Sequence, residues 1–438
     1  MRWPLRALPL ALVVVVAGCA QPAAPEPWTT SMAFGVLGAT CEPDRLSALR
    51  DAGVTVVELP LAWDRFQPAP GEVDQDYAAQ ARDRLGACRD AGMRVVLAPG
   101  LHYPPPWVRE LPGGTPRGSS GGRADGVDLV FSATVRDAAA DYLARLASDV
   151  GFDGVSAVRV GTTSTGELGY PGPTAGGHER EYWASGPAAQ SGAGLAEGLT
   201  ASPLPGWVPG SPVWAGGDVT AEQVDGWFSW YADAPVEAVS WQLDRLRELG
   251  FTGRAHVPVA GRGVLPADRA EAVAGLLDGR ADPDGALERG LDHPAAFAAL
   301  AARPDADRID IDFTGLDDVT AVRARAAGQD RCRPGDEDGL LERADVASWS
   351  AQRFTTALAR RAGLGLVGEN PGPPDAPHTG GAEDSDPLAE QLRLAPAYAV
   401  DCGLTTFLFA FEDDLFSGAT GVDVADYADR IAASAGRE

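Results

Sequence analysis

The apolar positions of the chain recur with two different spacings from residue 32 onward. Short runs of β-branched and other apolar residues have the length of buried strands, and the longer stretches between them repeat their apolar positions at helical spacing. In one such stretch, Val236, Val239, Leu243 and Leu246 fall on one helical face. The pattern predicts strands at 33–37, 55–60, 94–99, 155–160, 254–260, 308–313, 365–368 and 405–411.

Eight strands that alternate with helices favour one fold. Such alternation is typical of a parallel sheet, and eight units are the number found in a TIM (β/α)8 barrel. A doubly wound sheet would carry a glycine-rich phosphate loop after its first strand, and 35–41 lacks that motif. We therefore expect 32–438 to form a single barrel with insertions near 113–128, 171–220 and 265–304. The long insertions should lie on the C-terminal face, where loops are usually functional.

The first eighteen residues have the pattern of a secretory signal peptide. Arg2 and Arg6 precede an apolar stretch of roughly ten residues, which is too short to span a membrane. The following Val-Ala-Gly-Cys19 resembles a bacterial lipoprotein box, in which the cysteine is lipidated. We expect Cys19 to carry the lipid and 19–31 to form a tether, which predicts an exported lipoprotein on the extracellular side of the cell membrane. A plain signal peptide, and hence a secreted protein, is the alternative.

Composition excludes several classes of chemistry. The chain has 36 basic and 62 acidic residues, a formal charge of −26, and every basic residue is arginine. Without lysine there can be no Schiff-base aldolase, no pyridoxal-phosphate enzyme and no P-loop with its usual lysine. The acidic balance also argues against nucleic acid as a partner.

The cysteines and histidines give no indication of a metal site. Cys41, Cys88, Cys332 and Cys402 show no CxxC spacing, and an exported protein could pair them, with the connectivity open. The five histidines form no HxH or HExxH motif. We expect neither a metal nor a cofactor.

Two glutamates stand out among the acidic residues because of where they fall. Glu167 closes the turn after the predicted fourth strand, and Glu369 ends the seventh. Catalytic residues of barrel enzymes lie at the carboxyl ends of strands, and a pair of carboxyl groups there is what glycosidic bond cleavage requires. Asn370, the single asparagine of the chain, follows Glu369, and its amide either contacts a substrate or serves a turn or cap.

Further candidates lie near the predicted strand ends or in the long loops. Sugar rings stack on aromatic side chains, and their hydroxyls need fixed polar partners. The residues expected to bind substrate are Glu58, Trp63, His102, Tyr103, Trp107, Tyr170, Trp230, Tyr231, Asn370 and Glu412.

These segments resemble known glycoside hydrolases with (β/α)8 barrels. The stretch from Glu58 to Asp74, with 92–99 and 104–108, is similar to the second- and third-strand region of family-42 β-galactosidases. At the catalytic segments, Gly-Glu167-Leu-Gly-Tyr170-Pro and Gly-Glu369-Asn370 resemble family-14 β-amylases. The resemblance implies that Glu167 is the general acid, that Glu369 is the base or nucleophile, and that His102 contacts the substrate.

The sequence therefore predicts an exported glycosidase, β-galactosidase-like or β-amylase-like, that acts on an oligo- or polysaccharide. Two alternatives stay open. A catalytically inactive barrel could retain carbohydrate binding, and a solute-binding lipoprotein could share the anchor, the acidity and the aromatic residues. The latter class has two doubly wound lobes, so a closed barrel would count against it.

Overall fold

Eight parallel strands close into a barrel in the computed structural model, which describes residues 32–280, 285–316, 321, 324, 331–372 and 388–435. Each strand pairs with the next, and the ring closes where the last strand pairs with the first, with Ala33 opposite Thr406. The barrel strands are β1 (Ala33–Val36), β2 (Val56–Pro60), β3 (Arg94–Ala98), β4 (Val155–Arg159), β5 (Arg254–Val259), β6 (Ile309–Phe313), β7 (Gly365–Glu369) and β8 (Thr406–Phe409). The predicted TIM barrel is confirmed, and the two lobes of a solute-binding lipoprotein are not the architecture found.

Helices fill the connections between the strands. Side-chain caps begin several of them: Asp74 accepts a hydrogen bond from the Tyr77 amide, and Thr220 forms a capping box with Gln223. The α-helices are Pro43–Asp51, Trp63–Phe66, Gln75–Asp90, Pro106–Arg109, Ala133–Asp149, Pro187–Ser191, Ala221–Glu248, Pro266–Ala274, His293–Ala301, Ala351–Ala362, Leu388–Asp401, Glu412–Ser417 and Val424–Ala435. Short 3₁₀ turns occupy Ala306–Arg308, Leu340–Glu342 and Ala344–Ser348, and a hairpin pairs Val213–Trp214 with Gly217–Asp218.

Alternate side chains along each strand point to opposite faces of the barrel wall and pack in two different clusters. Residues such as Val57, Val95 and Val158 belong to the main core with the surrounding helices. Their neighbours on the opposite face, including Val56 and Ala157, form a smaller apolar cluster. Side chains at positions i and i+2 of a strand point to the same face of the sheet. Glu58, two residues after Val56, and Arg159, two residues after Ala157, therefore lie on the inner face, closer to the carboxyl ends of the strands.

The insertions build a second apolar core. Buried side chains from 124–131, 170–207, 224–238 and 264–291 pack together in a cluster distinct from the core of the barrel. The predicted insertion at 265–304 extends too far, because Phe297 and Leu300 of the helix His293–Ala301 are buried in the main core. That helix packs against its neighbours Ala221–Glu248 and Ala351–Ala362 and therefore belongs to the outer layer of the barrel.

Two disulfides join segments that are distant in the sequence. Cys41, just after β1, is bonded to Cys88 in the helix Gln75–Asp90, and Cys332 is bonded to Cys402. These bonds give the connectivity that the spacing of the cysteines left open. The signal peptide, Cys19 and the tether predicted for 1–31 lie outside the described residues. None of the helices in the described part of the chain is long and apolar enough to cross a membrane.

Candidate active site

A buried cluster of three carboxyl groups surrounds one guanidinium at the mouth of the barrel. Arg159, at the end of β4, donates one hydrogen bond to each carboxylate oxygen of Glu369, at 3.0 and 3.2 Å. The same guanidinium lies 3.8 Å from Asp312 on β6. Glu58 on β2 accepts a hydrogen bond from the Gly38 amide at 2.8 Å, and the electrostatic field of Arg159 acts on it as well. Four strands thus contribute to one charged centre.

Burial decides the electrostatics of this cluster. It raises the pKa of Glu58, Asp312 and Glu369 because each charged form has lost its water, and Arg159 offsets only part of that effect. Three carboxylates around one cation would leave two negative charges in the interior, so the cluster retains a proton near neutral pH. Both oxygens of Asp312 are buried without a hydrogen-bond partner, whereas Glu369 receives two donors from Arg159. Burial is the largest cause that raises the pKa of Glu369 to about 8 and that of Asp312 to about 6, and the two groups therefore titrate as a pair that shares this proton.

Glu167 is held by a different set of partners on the neighbouring side of the mouth. Its Oε2 accepts hydrogen bonds from Thr165 at 3.0 Å and Arg289 at 2.8 Å, and its Oε1 accepts one from Thr314 at 2.7 Å. Arg289 comes from the insertion, and Thr314 follows β6. After burial and Asp312, the field of Glu167 is a further contribution that raises the pKa of Glu369. The two predicted catalytic carboxylates therefore lie within electrostatic reach of each other.

A tight turn fixes the backbone of Glu167. The amides of Thr162 and Thr163 both donate to the Glu167 carbonyl, and the Glu167 amide donates to the Thr163 hydroxyl. Gly166 has a φ of +81°, and a Cβ at this position would lie 3.4 Å from Nδ1 of His102. The turn thus places Gly166, the residue before Glu167, beside the histidine that follows β3.

Asn370 links the last two strands and is buried. Its Oδ1 accepts a hydrogen bond from the Ala410 amide at 2.9 Å, and its Nδ2 donates to Gln391 and to the Ala410 carbonyl. Every polar atom of the amide is engaged within the protein, so the turn-or-cap interpretation fits this residue better than contact with a substrate. The bonds fix the backbone directly after Glu369.

Glu412 also forms hydrogen bonds within the protein rather than facing a ligand site. It begins the helix after β8, and its Oε2 accepts hydrogen bonds from the Thr40 amide at 2.9 Å and from Arg45 at 3.1 Å. Its side chain is fully buried. It therefore connects the end of β8 to the segment that follows β1 through hydrogen bonds.

The aromatic residues predicted to bind substrate differ in how much of each side chain is exposed to solvent. Tyr103 is 50% exposed, its ring lies 4.1 Å from that of His102, and burial together with the field of Glu58 raises the pKa of its phenol. Trp107 and Trp230 are half-buried. Trp63, Tyr170 and Tyr231 are almost completely buried, and each stacks on another interior ring, so they offer no face to a ligand in this conformation.

Several residues of the site were missed at the level of sequence. Arg159 and Asp312 carried a weak signal, since each is a charged side chain between apolar neighbours on a short predicted strand. Arg289 carried none, because it lies in the insertion, 122 residues from the glutamate that it contacts. In the described part of the chain, no group of three or more histidine, cysteine, aspartate or glutamate side chains could hold a metal ion.

Comparison with known proteins identifies the fold. No protein-family model matches the chain, and no curated protein matches it by sequence. Among solved structures, a β-galactosidase from the psychrophilic Marinomonas ef1 is similar, with 14% identity, a TM-score of 0.50, and coverage of 91% of this chain and 62% of that one. A polyextremophilic β-galactosidase from the Antarctic haloarchaeon Halorubrum lacusprofundi has 16% identity, a TM-score of 0.53, and coverage of 92% and 58%.

This likeness shows the fold, a (β/α)8 barrel shared with enzymes whose names describe β-galactosidases. It confirms the barrel that the resemblance to family-42 β-galactosidases implied. The chain spans about three fifths of the length of each of these structures. Neither similarity bears on the likeness of the two glutamate segments to β-amylases.

Proposed function

We propose that this protein is an exported glycoside hydrolase in which Glu167 is the general acid and Glu369 is the base or nucleophile. The observation that carries the proposal is the pair of glutamates after β4 and β7, each fixed by its own arginine, at the mouth of a barrel similar to those of β-galactosidases. Barrel enzymes place their chemistry at this face, and glycosidic cleavage needs two carboxyl groups.

The surroundings of Glu369 suit the role of the ionised partner. The two N–H groups of Arg159 orient both carboxylate oxygens and stabilise their charge. When Asp312 holds the proton that the cluster retains, Glu369 is ionised, and it can then attack the anomeric carbon or take a proton from the attacking water molecule. Glu167 would donate its proton to the leaving oxygen as the bond from that oxygen to the anomeric carbon breaks, and water would later restore the proton.

The exposed ring of Tyr103 supports a sugar subsite next to Glu58. An aromatic face can stack on the C–H face of a sugar, while the carboxyl group of Glu58 and the ring of His102 are polar groups of the kind that bind hydroxyls. Trp107 and Trp230, which are half-buried, extend the set of aromatic candidates. An oligo- or polysaccharide is the proposed substrate, and galactosides are the first class to test.

A carbohydrate-binding barrel without catalysis is the second candidate. The observation in its favour is that both carboxylate oxygens of Glu167 already accept hydrogen bonds from protein groups, Oε2 from Arg289 and Thr165 and Oε1 from Thr314. Substitution of the glutamates separates the two candidates, since a protein that only binds would retain its affinity for glycans and would never cleave them.

The experiment is hydrolysis of a panel of aryl glycosides, and then of oligosaccharides, by the wild type, Glu167→Gln and Glu369→Gln. We expect each substitution to lower kcat at least about a thousandfold, with the melting temperature unchanged within a few degrees. Glu271→Gln, at an exposed position of the helix Pro266–Ala274, is the matched control and should retain full activity. Full activity in either active-site variant contradicts the assignment.

Export and lipidation are part of the proposal. The signal-like 1–18 segment and the lipobox at Cys19 support them, and two disulfides suit an oxidising compartment. In a bacterial host, the wild type should partition into the detergent phase and carry a lipid at Cys19 by mass spectrometry. Cys19→Ser should abolish both properties, and a water-soluble wild type cleaved at another residue would favour simple secretion.

A further inference from the structure

The guanidinium of Arg289 uses only one of its three nitrogen atoms within the protein. Its Nη2 donates a 2.8 Å hydrogen bond to Oε2 of Glu167. Among the described residues, this side chain makes no other hydrogen bond or ion pair. Nε and Nη1 are not enclosed by the protein either, and the side chain keeps 21% of its surface exposed. An arginine has five N–H donors, so most of them are available to a ligand.

The backbone of Arg289 is fixed against the segment that follows Glu167. The Tyr170 amide donates a 2.9 Å hydrogen bond to the Arg289 carbonyl. Gly169 permits this approach, since a Cβ at that position would lie 2.8 Å from the Arg289 carbonyl oxygen. On either side of the arginine, Leu287 and Leu291 are buried in the second apolar core. The segment is therefore anchored, and its guanidinium is held beside Glu167 with donors to spare.

The position of Arg289 decides which part of a substrate it can reach. A general acid lies within hydrogen-bond distance of the leaving oxygen. Because Arg289 contacts the carboxyl group of Glu167 directly, its accessible N–H groups lie close to whatever is bonded to that oxygen. Glu369, which acts on the anomeric carbon in the proposed reaction, is bound by Arg159 instead. Arg289 therefore belongs to the leaving-group side of the site.

The charges at the mouth favour a neutral group on that side. Four carboxyl groups share two guanidinium groups there, namely Glu58, Glu167, Asp312 and Glu369 with Arg159 and Arg289. An anionic sugar would meet this excess of acidic groups and be repelled. Hydroxyl groups accept hydrogen bonds from a guanidinium without adding charge, so a neutral sugar fits the surroundings of Arg289 better.

We propose that Arg289 determines specificity on the leaving-group side, where its accessible N–H groups donate hydrogen bonds to the hydroxyls of a neutral sugar. The inference rests on the proposed function, because the assignment of Glu167 as the general acid defines that side. A leaving group without hydroxyls offers these donors no acceptor. Removal of the guanidinium should therefore impair a disaccharide substrate more than a substrate with an apolar leaving group.

The kinetic test compares lactose with cyclohexyl β-galactoside, or the corresponding pair for whichever glycosyl group the wild type cleaves. Both leaving groups are alkyl alcohols with a similar need for a proton, so loss of the hydrogen bond to Glu167 affects both substrates alike. Arg289→Met should lower kcat/KM about 10- to 100-fold more for lactose than for the cyclohexyl glycoside. Arg289→Gln replaces it if the methionine variant does not fold. Equal losses for the two substrates overturn the proposal.

Two further variants separate contact with the leaving sugar from support of Glu167. Thr314→Val removes the 2.7 Å hydrogen bond to Oε1 of Glu167 and leaves Arg289 in place, so it should affect both substrates to the same degree. Arg269→Met removes another arginine from the insertion, one that pairs with Asp225 and Asp292, and it should leave the preference for lactose unchanged.

Binding measured without turnover distinguishes this inference from the proposed function. In the Glu369→Gln background, calorimetric titration with lactose should show affinity about 10-fold weaker when Arg289→Met is added, while affinity for cyclohexyl β-galactoside stays the same. An unchanged affinity for lactose overturns the inference. A wild type that cleaves no glycoside, but whose binding of the disaccharide still depends on Arg289, overturns the proposed function alone. A protein that binds no disaccharide overturns both.

Discussion

Arg159 and Glu369 join opposite sides of the barrel through two parallel hydrogen bonds of 3.0 and 3.2 Å. Their strands, β4 and β7, are separated by β5 and β6 along one side of the ring. The pair is buried, and Asp312 and Glu58 lie close by. The guanidinium of Arg159 therefore stabilises the charge of all three carboxyl groups of this cluster. Burial disfavours the charged guanidinium, but the fields of the three carboxylates exceed that effect and raise the pKa of Arg159.

Replacement of Arg159 should damage both the stability and the activity of the protein. Arg159→Met leaves buried carboxylates without their cation, so we expect a loss of about 3–5 kcal/mol in the free energy of unfolding. Urea denaturation measures this loss. The double variant Arg159→Met/Glu369→Met removes one of the three buried carboxyl groups together with the cation, and it should recover part of the stability without recovering activity. If the single variant is as stable as the wild type, the guanidinium does not compensate the cluster.

Asp312→Asn should change how stability depends on pH. Because burial raises the pKa of Asp312 in the folded protein, the folded state binds the proton more tightly than the unfolded state does. Its contribution to stability is therefore complete below the unfolded value of about 4 and is lost as the pH rises through the folded value. The variant stays neutral, so its melting temperature should fall less than that of the wild type between about pH 4, the unfolded value, and the folded value of about 6. Parallel curves for the two proteins would refute this account.

Asn370→Ala should weaken the junction between β7 and β8. The amide satisfies the backbone N–H and C=O groups of Ala410 and contacts Gln391, so its removal leaves buried polar groups without partners. We expect a cost of about 2–3 kcal/mol and a fall in kcat, because the backbone after Glu369 loses its anchor. Asn370→Asp keeps the acceptor for the Ala410 amide but places a carboxylate oxygen against the Gln391 and Ala410 oxygens, so it should be no more stable than Asn370→Ala near neutral pH. Equal stability of all three proteins would contradict the structural role of the amide.

Tyr103→Ala should affect binding and leave folding intact. Half of the side chain is exposed, so little packing is lost, while a ring face next to the proposed subsite disappears. We expect KM to rise roughly 2- to 10-fold with an unchanged melting temperature. Tyr103→Phe keeps the ring and should behave like the wild type in steady-state kinetics. If the phenylalanine variant is impaired to the same degree, the hydroxyl rather than the ring face makes the contact.

Most of the fold could be predicted from the sequence because its signals are local. Alternation of short apolar runs with helical spacing gave all eight strands to within two residues at each end. The position of Glu167 and Glu369 after two strands was enough to expect both at the same face, since parallel strands all end there. The insertion at 265–304 was bounded less well, because its alanine-rich helices have the same local pattern whether they pack on the barrel or on the insertion.

Only the tertiary structure decided the partners of these residues. Arg159 and Glu369 are 210 residues apart, Arg289 and Glu167 are 122 apart, and the disulfide pairing depends likewise on contacts across the fold. Spacing along the chain carries no information about such pairs, because they form when the barrel closes and the insertion packs on its mouth. The same closure buried Trp63, Tyr170 and Tyr231 and left Tyr103 exposed. The sequence thus determined the strands and the face to which the glutamates belong, whereas packing across the barrel determined which side chains hold their charge.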